Sequence, residues 1–207
     1  AEKRNKNNKL VYVELFKKLY KLSFFSFAVL ALLSNELFSI FLGQEWEQAG
    51  NFTRILCFQM FISFIMIPII NLAKIYNKQE YTFIEQLLVL ITSSLAIYIG
   101  GILNNIYIAL LLLSLSTGFI NLFFGLLIFQ YLGISFRKIL AIIIKYTFYS
   151  LPLSFLIFII KYNYDTSKIE ILTIAAFCIV IHYSFVLFTD NELSNSIKNI
   201  LQKIKLS

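Results

Sequence analysis

Ionisable side chains interrupt long apolar stretches of this sequence at Glu36, Glu85, Lys145 and His182. An ionised side chain at the centre of a lipid bilayer costs at least about 3 kcal/mol on insertion scales. Each of these positions therefore needs water, a partner or a ligand if the stretches cross a membrane. Glu36 lies toward the outer half of its stretch, where a carboxylate can take up a proton or hold a cation. We predict a proton or cation site at Glu36, with contact between this carboxylate and extracellular water as the alternative.

Basic side chains inside the apolar stretches indicate a different chemistry, the binding of an anion. Lys145 lies about two turns inside its stretch, where its long side chain either lines a cavity for an anionic substrate or reaches headgroup water. Arg54, just inside another stretch, is the second candidate cation. His182 titrates near neutral pH when unperturbed, although packing among aromatic rings is the commoner role. Glu85 lies about one turn inside its stretch and is expected to reach water.

Several chemistries of soluble proteins are excluded by the sequence. It has no glycine-rich phosphate loop followed by Lys and Ser or Thr, so it carries no nucleotide-hydrolysis site of that type. One histidine and two distant cysteines give no zinc site, and no carboxylate or serine–histidine arrangement indicates hydrolysis. We therefore predict neither an enzyme nor a bound metal or cofactor. The net charge of +7 does not indicate nucleic acid, because the basic residues adjoin apolar stretches, where anionic lipid headgroups attract them.

The apolar stretches that position these residues are at about 23–42, 52–73, 82–101, 105–131, 139–160 and 169–189. Each approaches the roughly 20 residues that a helix needs to cross about 30 Å of hydrocarbon. Backbone groups find no hydrogen-bond partner in lipid, so each crossing must be a helix that satisfies its own. With 59% hydrophobic and 14% charged residues, the chain is predicted to be an all-α, polytopic membrane helix bundle.

Lysine and arginine residues recur at alternate ends of these stretches. They cluster before the first stretch, after the second and fourth, and in the tail. The positive-inside rule then places both ends of the chain in the cytoplasm, with six crossings of the membrane between them. The flanks, 1–22 and 190–207, are amphipathic and are predicted to lie along the inner membrane surface, on either side of a six-helix domain at 23–189. A solvated helix is the alternative for each flank.

Two features predict how the helices pack. Small and polar residues in the fourth stretch recur at steps of four, three and four, at Ser114, Gly118, Asn121 and Gly125. They share one helix face, and small residues let helix backbones approach closely in lipid, so this face is predicted to point into the bundle. Pro68 and Pro152 remove backbone hydrogen bonds inside the second and fifth stretches, and each is predicted to bend its helix.

The connector after the first stretch carries the most specific motif, Gly-x-Glu-Trp-x-x-Ala-Gly, formed by Gly43, Glu45, Trp46, Ala49 and Gly50. The tryptophan suits the interfacial belt of a membrane protein, and the glycines suit a tight connector, so the motif is structural in kind.

Together with Arg54 and Pro68 in the next helix, this motif resembles the C-terminal part of bacterial polysaccharide flippases. These are the O-antigen and exopolysaccharide transporters of the multidrug/oligosaccharidyl-lipid/polysaccharide exporter superfamily. The resemblance extends over the helix order of essentially the whole chain. Asn77 departs from the pattern, which has glycine before Lys/Arg-Gln.

The resemblance implies a two-lobed transporter, of which this chain supplies the second lobe and two further helices. An N-terminal lobe would then precede Ala1 in the same polypeptide. The implied activity is movement of an undecaprenyl-diphosphate-linked oligosaccharide from the inner to the outer leaflet by alternating access, coupled to a proton or sodium gradient. Arg54 and Lys145 are the residues expected to bind the diphosphate.

Other functions remain open on the sequence alone. A cation-coupled multidrug exporter of the same superfamily would use Glu36 as its coupling site and would need no cationic cavity. A membrane-embedded glycan polymerase or ligase would need a large outer loop, and the outer connectors here are short. A structural membrane subunit is the remaining alternative.

Overall fold

The computed structural model of the protein describes residues 2–72, 74, 78–163 and 167–189. Its helices are α1 (Glu2–Phe41), a short 3₁₀ helix (Gln44–Trp46), α2 (Glu47–Asn71), α3 (Gln79–Ile102), α4 (Ile106–Tyr131), α5 (Phe136–Asn163) and α6 (Lys168–Thr189). The six α-helices are long and apolar enough to cross a membrane. The predicted all-α, multi-pass bundle is therefore confirmed.

The first helix is much longer than the apolar stretch that predicted it. It is continuous over 40 residues, about 60 Å at 1.5 Å per residue and about twice the thickness of the hydrocarbon core. Tyr12, Phe16 and Tyr20 form a buried stripe at steps of four that packs in the same core as later helices. Residues 2–22 thus continue the first crossing helix without a break. Their position relative to the membrane surface stays a prediction, and the predicted tail at 190–207 lies outside the described residues.

Hydrogen bonds between helices fix the direction of each one. Asn35 donates to Asn51, and Arg54 donates to the carbonyl of Ala31, so α1 and α2 are antiparallel. Two hydrogen bonds between α1 and α5 show that these helices are parallel. Two hydrogen bonds between α2 and α4 show that these helices are also parallel. The starts of α1, α3 and α5 therefore lie at one end of the bundle with the ends of α2, α4 and α6. This is called the basic end, because most lysines lie there, and the opposite one is called the far end.

Helix α1 is shared by two groups of helices. On one side it packs against α2, which packs against α4, and α3 lies against α4. The buried residues there include Phe16, Met66 and Phe129. On its other side α1 packs against α5 and α6, around Phe25 and Ile157. The outer faces of α3, α5 and α6 expose many large apolar side chains, as expected of helices that contact lipid.

The predicted small-residue face of α4 is confirmed as a packing surface, here called the α2–α4 seam. Ser114, Gly118, Asn121 and Gly125 are all buried. Ser114 donates to the carbonyl of Ile55 at 2.7 Å, and Asn121 Nδ2 donates to Ser63 Oγ at 2.8 Å. A Cβ atom at Gly125 would lie 2.5 Å from Met66 Sδ, so the helices approach too closely for a larger residue there.

The two prolines lie inside continuous helices. Pro68 is in the last turn of α2, and Pro152 is near the middle of α5. Each helix continues past its proline, so neither residue ends a crossing. The predicted bends at these positions stay predictions.

Candidate functional site

A cavity of about 160 Å³ lies between α1, α5 and α6, toward the basic end of the bundle. Its walls consist of Lys17 and Lys21 from α1, of Lys145, Tyr146, Tyr149 and Ser150 from α5, and of His182, Phe185 and Val186 from α6. Three of these nine side chains carry an ammonium group, and none is a carboxylate. This lysine cavity is the candidate functional site.

Helix geometry explains why the three lysines meet. Lys17 and Lys21 are four residues apart, so they share one face of α1. Helix α5 runs parallel to α1, and a 2.6 Å hydrogen bond between Tyr20 and Thr147 sets its register. That register brings Lys145 to the level of Lys21. Side chains from distant parts of the chain therefore converge on one cavity.

The lysines differ in how far they are removed from water. Lys21 is 6% exposed, Lys17 is half-buried, and Lys145 is exposed at the rim of the cavity. The Nζ atom of Lys21 lies 4.6 Å from the ring centroid of Tyr146, and that of Lys145 lies 5.8 Å from the same centroid. The negative face of an aromatic ring stabilises a nearby cation. It does not neutralise the charge, so the cavity is electrostatically suited to an anion.

His182 forms part of the floor of the cavity and is 2% exposed. Its ring stacks on Phe25 at 4.3 Å between centroids, and it hydrogen-bonds the backbone of Lys21. Its Nε2 atom is buried and has no hydrogen-bond partner in the described part of the chain. A buried polar atom without a partner is costly, so this nitrogen is a group that a ligand can satisfy.

The two predicted cations, Arg54 and Lys145, do not come together. Lys145 belongs to the lysine cavity. Arg54 lies between α2 and α1, where its Nε donates to the carbonyl of Ala31 at 3.1 Å. An anionic group in the lysine cavity would therefore contact Lys145 and the two α1 lysines. Arg54 instead stabilises the contact between α1 and α2.

Glu36 lies in a salt bridge near the far end. Its Oε1 atom is 2.8 Å from Lys161 Nζ, and the two side chains are 15% and 13% exposed, respectively. Lys161 Nζ also donates to the carbonyl of Leu32 at 2.5 Å. The second carboxylate oxygen, Oε2, is buried and finds no partner among the residues that the structure describes. The carboxylate thus ties α1 to α5, and one of its oxygens remains available to a proton or cation.

Glu85 was expected to reach water, and the structure differs. The residue is 7% exposed in α3, because its side chain points into the bundle. It lies outside the lysine cavity. The position of Glu85 one turn from the end of its stretch did not predict its burial. Burial depends on which face of α3 the residue occupies.

The connector motif is built as a tight turn at the far end. Gly43 has φ +104° and ψ 162°, a conformation that residues with a Cβ rarely adopt. Trp46 is 53% exposed and closes the 3₁₀ helix, in which Glu45 is also exposed. An exposed tryptophan beside a helix start suits the membrane interface.

The second half of the motif begins α2. A Cβ atom at Gly50 would lie 2.6 Å from the Cα atom of Asn35, so glycine lets α1 and α2 approach here. The carbonyl of Ala49 accepts a 2.9 Å hydrogen bond from Thr53 Oγ1. These residues shape the α1–α2 contact and lie away from the lysine cavity, as expected of a structural motif.

No protein-family model, curated protein or solved structure matches the chain. The resemblance to polysaccharide flippases therefore continues to rest on the connector motif and the helix order, and membership of that family stays a prediction.

Sequence reasoning missed three residues that the structure places at these sites. Lys17 and Lys21 fall in the flank at 1–22, and Lys161 falls just after the stretch at 139–160, so none of the three was a candidate. One signal was present in the sequence, since Lys17 and Lys21 each follow an aromatic residue of the α1 stripe, Phe16 and Tyr20. A basic pair at a step of four beside a buried stripe indicates side chains at the edge of a core.

Proposed function

We propose that this protein moves an undecaprenyl-diphosphate-linked oligosaccharide across the bacterial cytoplasmic membrane by alternating access. The observation that carries the proposal is the asymmetry of the α1–α5–α6 group. A lysine cavity lies toward its basic end, and apolar packing and a salt bridge close its far end.

The charge of the cavity matches a diphosphate. Opposite unit charges about 6 Å apart attract by roughly 3 kcal/mol at an effective dielectric constant of about 20. That is comparable with the cost of about 3 kcal/mol for placing one lysine in the membrane. An anionic ligand would therefore offset much of the cost of holding three ammonium groups together.

The route from the cavity to the far end is blocked in this state. Below the cavity, Phe25, Val29 and Leu33 of α1 are buried against α5 and α6. The Glu36–Lys161 salt bridge follows one turn further along α1. A site that is accessible at one end and closed at the other is what one state of alternating access requires.

The proposed orientation follows from the distribution of charge. The basic end would face the cytoplasm, with both ends of the chain on that side, because lysine and arginine favour the cytoplasmic side of a membrane. The lysine cavity would then receive its substrate from the inner leaflet, where polyprenyl-linked saccharides are assembled. An N-terminal lobe of the same polypeptide would complete the transport path.

A flipping assay tests the proposal. The protein is reconstituted in liposomes that contain a fluorescent polyprenyl-diphosphate-linked saccharide, and the fraction of label accessible to a membrane-impermeant quencher is followed over time. We expect transfer between leaflets, and we expect Lys145→Met to slow it about tenfold, because the loss of about 1.4 kcal/mol of binding corresponds to that factor.

The matched control is Lys138→Met, which removes a lysine from the same helix at an exposed position outside the cavity. It should leave the rate of transfer unchanged. Transfer no faster than in protein-free liposomes, or equal slowing by both substitutions, would overturn the proposal.

A cation-coupled multidrug exporter is the second candidate, and one observation favours it. Glu36 Oε2 is buried without a partner among the described residues, as expected of a proton-binding carboxylate. In that case Glu36→Gln would abolish the efflux of organic cations, and Lys145→Met would leave it unchanged. The same liposomes, loaded with a fluorescent organic cation, distinguish the two functions.

A further inference from the structure

The lysine cavity offers hydrogen-bond acceptors as well as positive charge. A lysine ammonium group only donates hydrogen bonds, so Lys17, Lys21 and Lys145 can bind only acceptor atoms of a ligand. His182 and Ser150 line the same cavity and differ from the lysines in this respect. Their contacts decide what kind of ligand atom each of them can bind.

His182 lines the cavity and has a ring nitrogen, Nε2, that is buried without a partner in the described part of the chain. Lys21 lies inside α1, where its backbone N–H donates to the preceding turn, so the backbone group that His182 contacts is the Lys21 carbonyl oxygen. A carbonyl only accepts, so the bonded ring nitrogen carries a hydrogen. Nε2 has no partner among the described residues, so Nδ1 is the bonded nitrogen. In the neutral imidazole, Nε2 is then a bare acceptor.

Ser150 adds a second acceptor. The residue is 3% exposed, and its hydroxyl donates to the carbonyl of Tyr146 at 3.1 Å, one turn earlier in α5. Because the single hydroxyl hydrogen is used in that bond, the oxygen faces a ligand with its lone pairs. Two buried acceptors therefore lie in a cavity whose three cations are all donors.

We propose that His182 and Ser150 are specificity-determining residues that accept hydrogen bonds from hydroxyl groups of an anionic ligand held by Lys17, Lys21 and Lys145. A ligand that satisfies both the lysine donors and the two acceptors carries an anionic group with hydroxyl groups beside it. The chemical class is a phosphate ester of a sugar or other polyol. This inference rests on the proposed function and deepens it, because it assigns to this cavity the junction between the phosphate and the first sugar.

The size of the cavity agrees with a ligand of this kind. Its volume of about 160 Å³ is close to the roughly 150 Å³ of an engineered protein cavity that binds benzene, a single six-membered ring. A single sugar ring or a phosphate group fills such a space. The rest of a larger ligand would extend past the exposed Lys145 at the rim.

Three probes with one lipid tail test the inference. Farnesyl glucosyl phosphate carries the anion and the hydroxyls, farnesyl methyl phosphate carries the same single charge without hydroxyls, and farnesyl glucoside carries hydroxyls without charge. The protein is held in phosphatidylcholine nanodiscs, and dissociation constants are measured by calorimetry. We expect the glucosyl phosphate to bind about tenfold more tightly than the methyl phosphate, because buried acceptors left without donors weaken binding.

Substitutions identify the residues responsible for this preference. His182→Phe keeps an aromatic ring against Phe25 and should remove most of the tenfold preference, and Ser150→Ala should lower it about threefold. Lys145→Met should weaken the binding of both phosphates by similar factors and leave their ratio unchanged. Thermal unfolding of each variant confirms that the fold is retained, and Ser150→Ala carries the test if His182→Phe does not fold.

The matched control for Ser150→Ala is Ser154→Ala. Ser154 lies one turn further along α5, and its hydroxyl makes the same type of bond, to the carbonyl of Ser150 at 3.0 Å, but it does not line the cavity. It should leave the preference intact. Equal affinities for the two phosphates, or a preference that survives both cavity substitutions, would overturn the inference.

The outcome is separable from that of the flipping assay. If the protein shows the predicted preference but does not move lipid-linked saccharides, the binding site stands and the proposed transport function is wrong. If the protein moves these saccharides but binds both phosphates equally, the proposed function stands and the roles inferred for His182 and Ser150 are wrong.

Discussion

The α2–α4 seam and the lysine cavity are both polar regions inside an apolar bundle, but their polar side chains differ in charge and in how closely they are packed. In the seam, Ser114 and Asn121 are neutral, and each donates a hydrogen bond directly to α2. In the cavity, three like charges surround a space, and a buried nitrogen of the lining residue His182 has no partner among the described residues. Asn121 Oδ1 in the seam also has no hydrogen-bond partner among the described residues. The two regions therefore differ in charge and in packing: the seam is neutral and closely packed, and the cavity is cationic and open.

The difference teaches how to separate structural from functional polarity in a membrane protein. A hydrogen bond between helices in a membrane contributes about 0.6 kcal/mol on average, so seam residues add modestly to a contact that close packing already favours. Clustered lysines oppose folding through desolvation and mutual repulsion. Substitutions in the seam should therefore lower stability, whereas substitutions in the cavity should lower function without lowering stability.

The largest effect is expected from overfilling the seam. Gly125→Leu would force atoms into the space occupied by the Met66 side chain, where even a Cβ atom would lie 2.5 Å from the sulphur. Overpacking costs about 3 kcal/mol, and it would separate α4 from α2. The measurement is the free energy of unfolding in mixed detergent micelles.

Gly101→Ala is the matched control, because a Cβ atom at Gly101 would meet nothing within 4 Å. It should change stability by less than about 0.5 kcal/mol. Similar stability of the two glycine variants would show that the seam is loosely packed and would weaken its contrast with the cavity.

A smaller effect is expected at the far end of the cavity's own helix group. Glu36→Gln removes the charge that pairs with Lys161 at 2.8 Å and leaves that ammonium group its hydrogen bond to the carbonyl of Leu32 and its contact with the Tyr162 ring. The expected loss of stability is about 2 kcal/mol, because a largely buried charge loses its partner.

The double variant Glu36→Gln/Lys161→Met should recover most of that loss, since the unpaired charge is also removed. Unfolding of both single variants and the double variant gives the coupling energy. A coupling energy near zero would mean that the pair does not hold α1 and α5 together, and the far end could not then act as the closed end of the cavity.

The parts of this structure that the sequence predicts are those set by local periodicity. The steps of four, three and four at Ser114, Gly118, Asn121 and Gly125 define one face of one helix, and a single helix suffices to place them. The six crossings follow in the same way from the length of each apolar stretch. Gly43 was also predictable, because the chain must turn within a short connector.

The cavity and the salt bridge could not be predicted in this way, because they depend on which helices are neighbours. Lys21 and Lys145 meet only because α5 returns to the same side of α1. Glu36 and Lys161 each looked like a side chain at a membrane boundary, and their pairing requires the same helix contact. Periodicity places a residue on a face of its own helix, but it does not identify the opposing helix.

The smallest expected effect has the opposite sign and tests the contrast most directly. Lys17→Met replaces a half-buried lysine of the cavity with an apolar side chain of similar length. Stability should rise by about 1 kcal/mol, because one of three neighbouring ammonium groups and its desolvation cost are removed. The affinity for farnesyl methyl phosphate should fall about tenfold.

Unfolding and calorimetry on the same preparation of the Lys17→Met variant measure both quantities, with Lys138→Met as the control at an exposed position. If the variant is more stable but binds the phosphate poorly, the lysine serves to bind a ligand and lowers the stability of the protein. A variant that is instead destabilised by about 1 kcal/mol or more would place Lys17 with Ser114 and Asn121, as a residue whose polar contacts hold helices together. The cavity would then be a packing defect of the α1–α5–α6 group, and the distinction between a neutral packed seam and a cationic ligand site would fail.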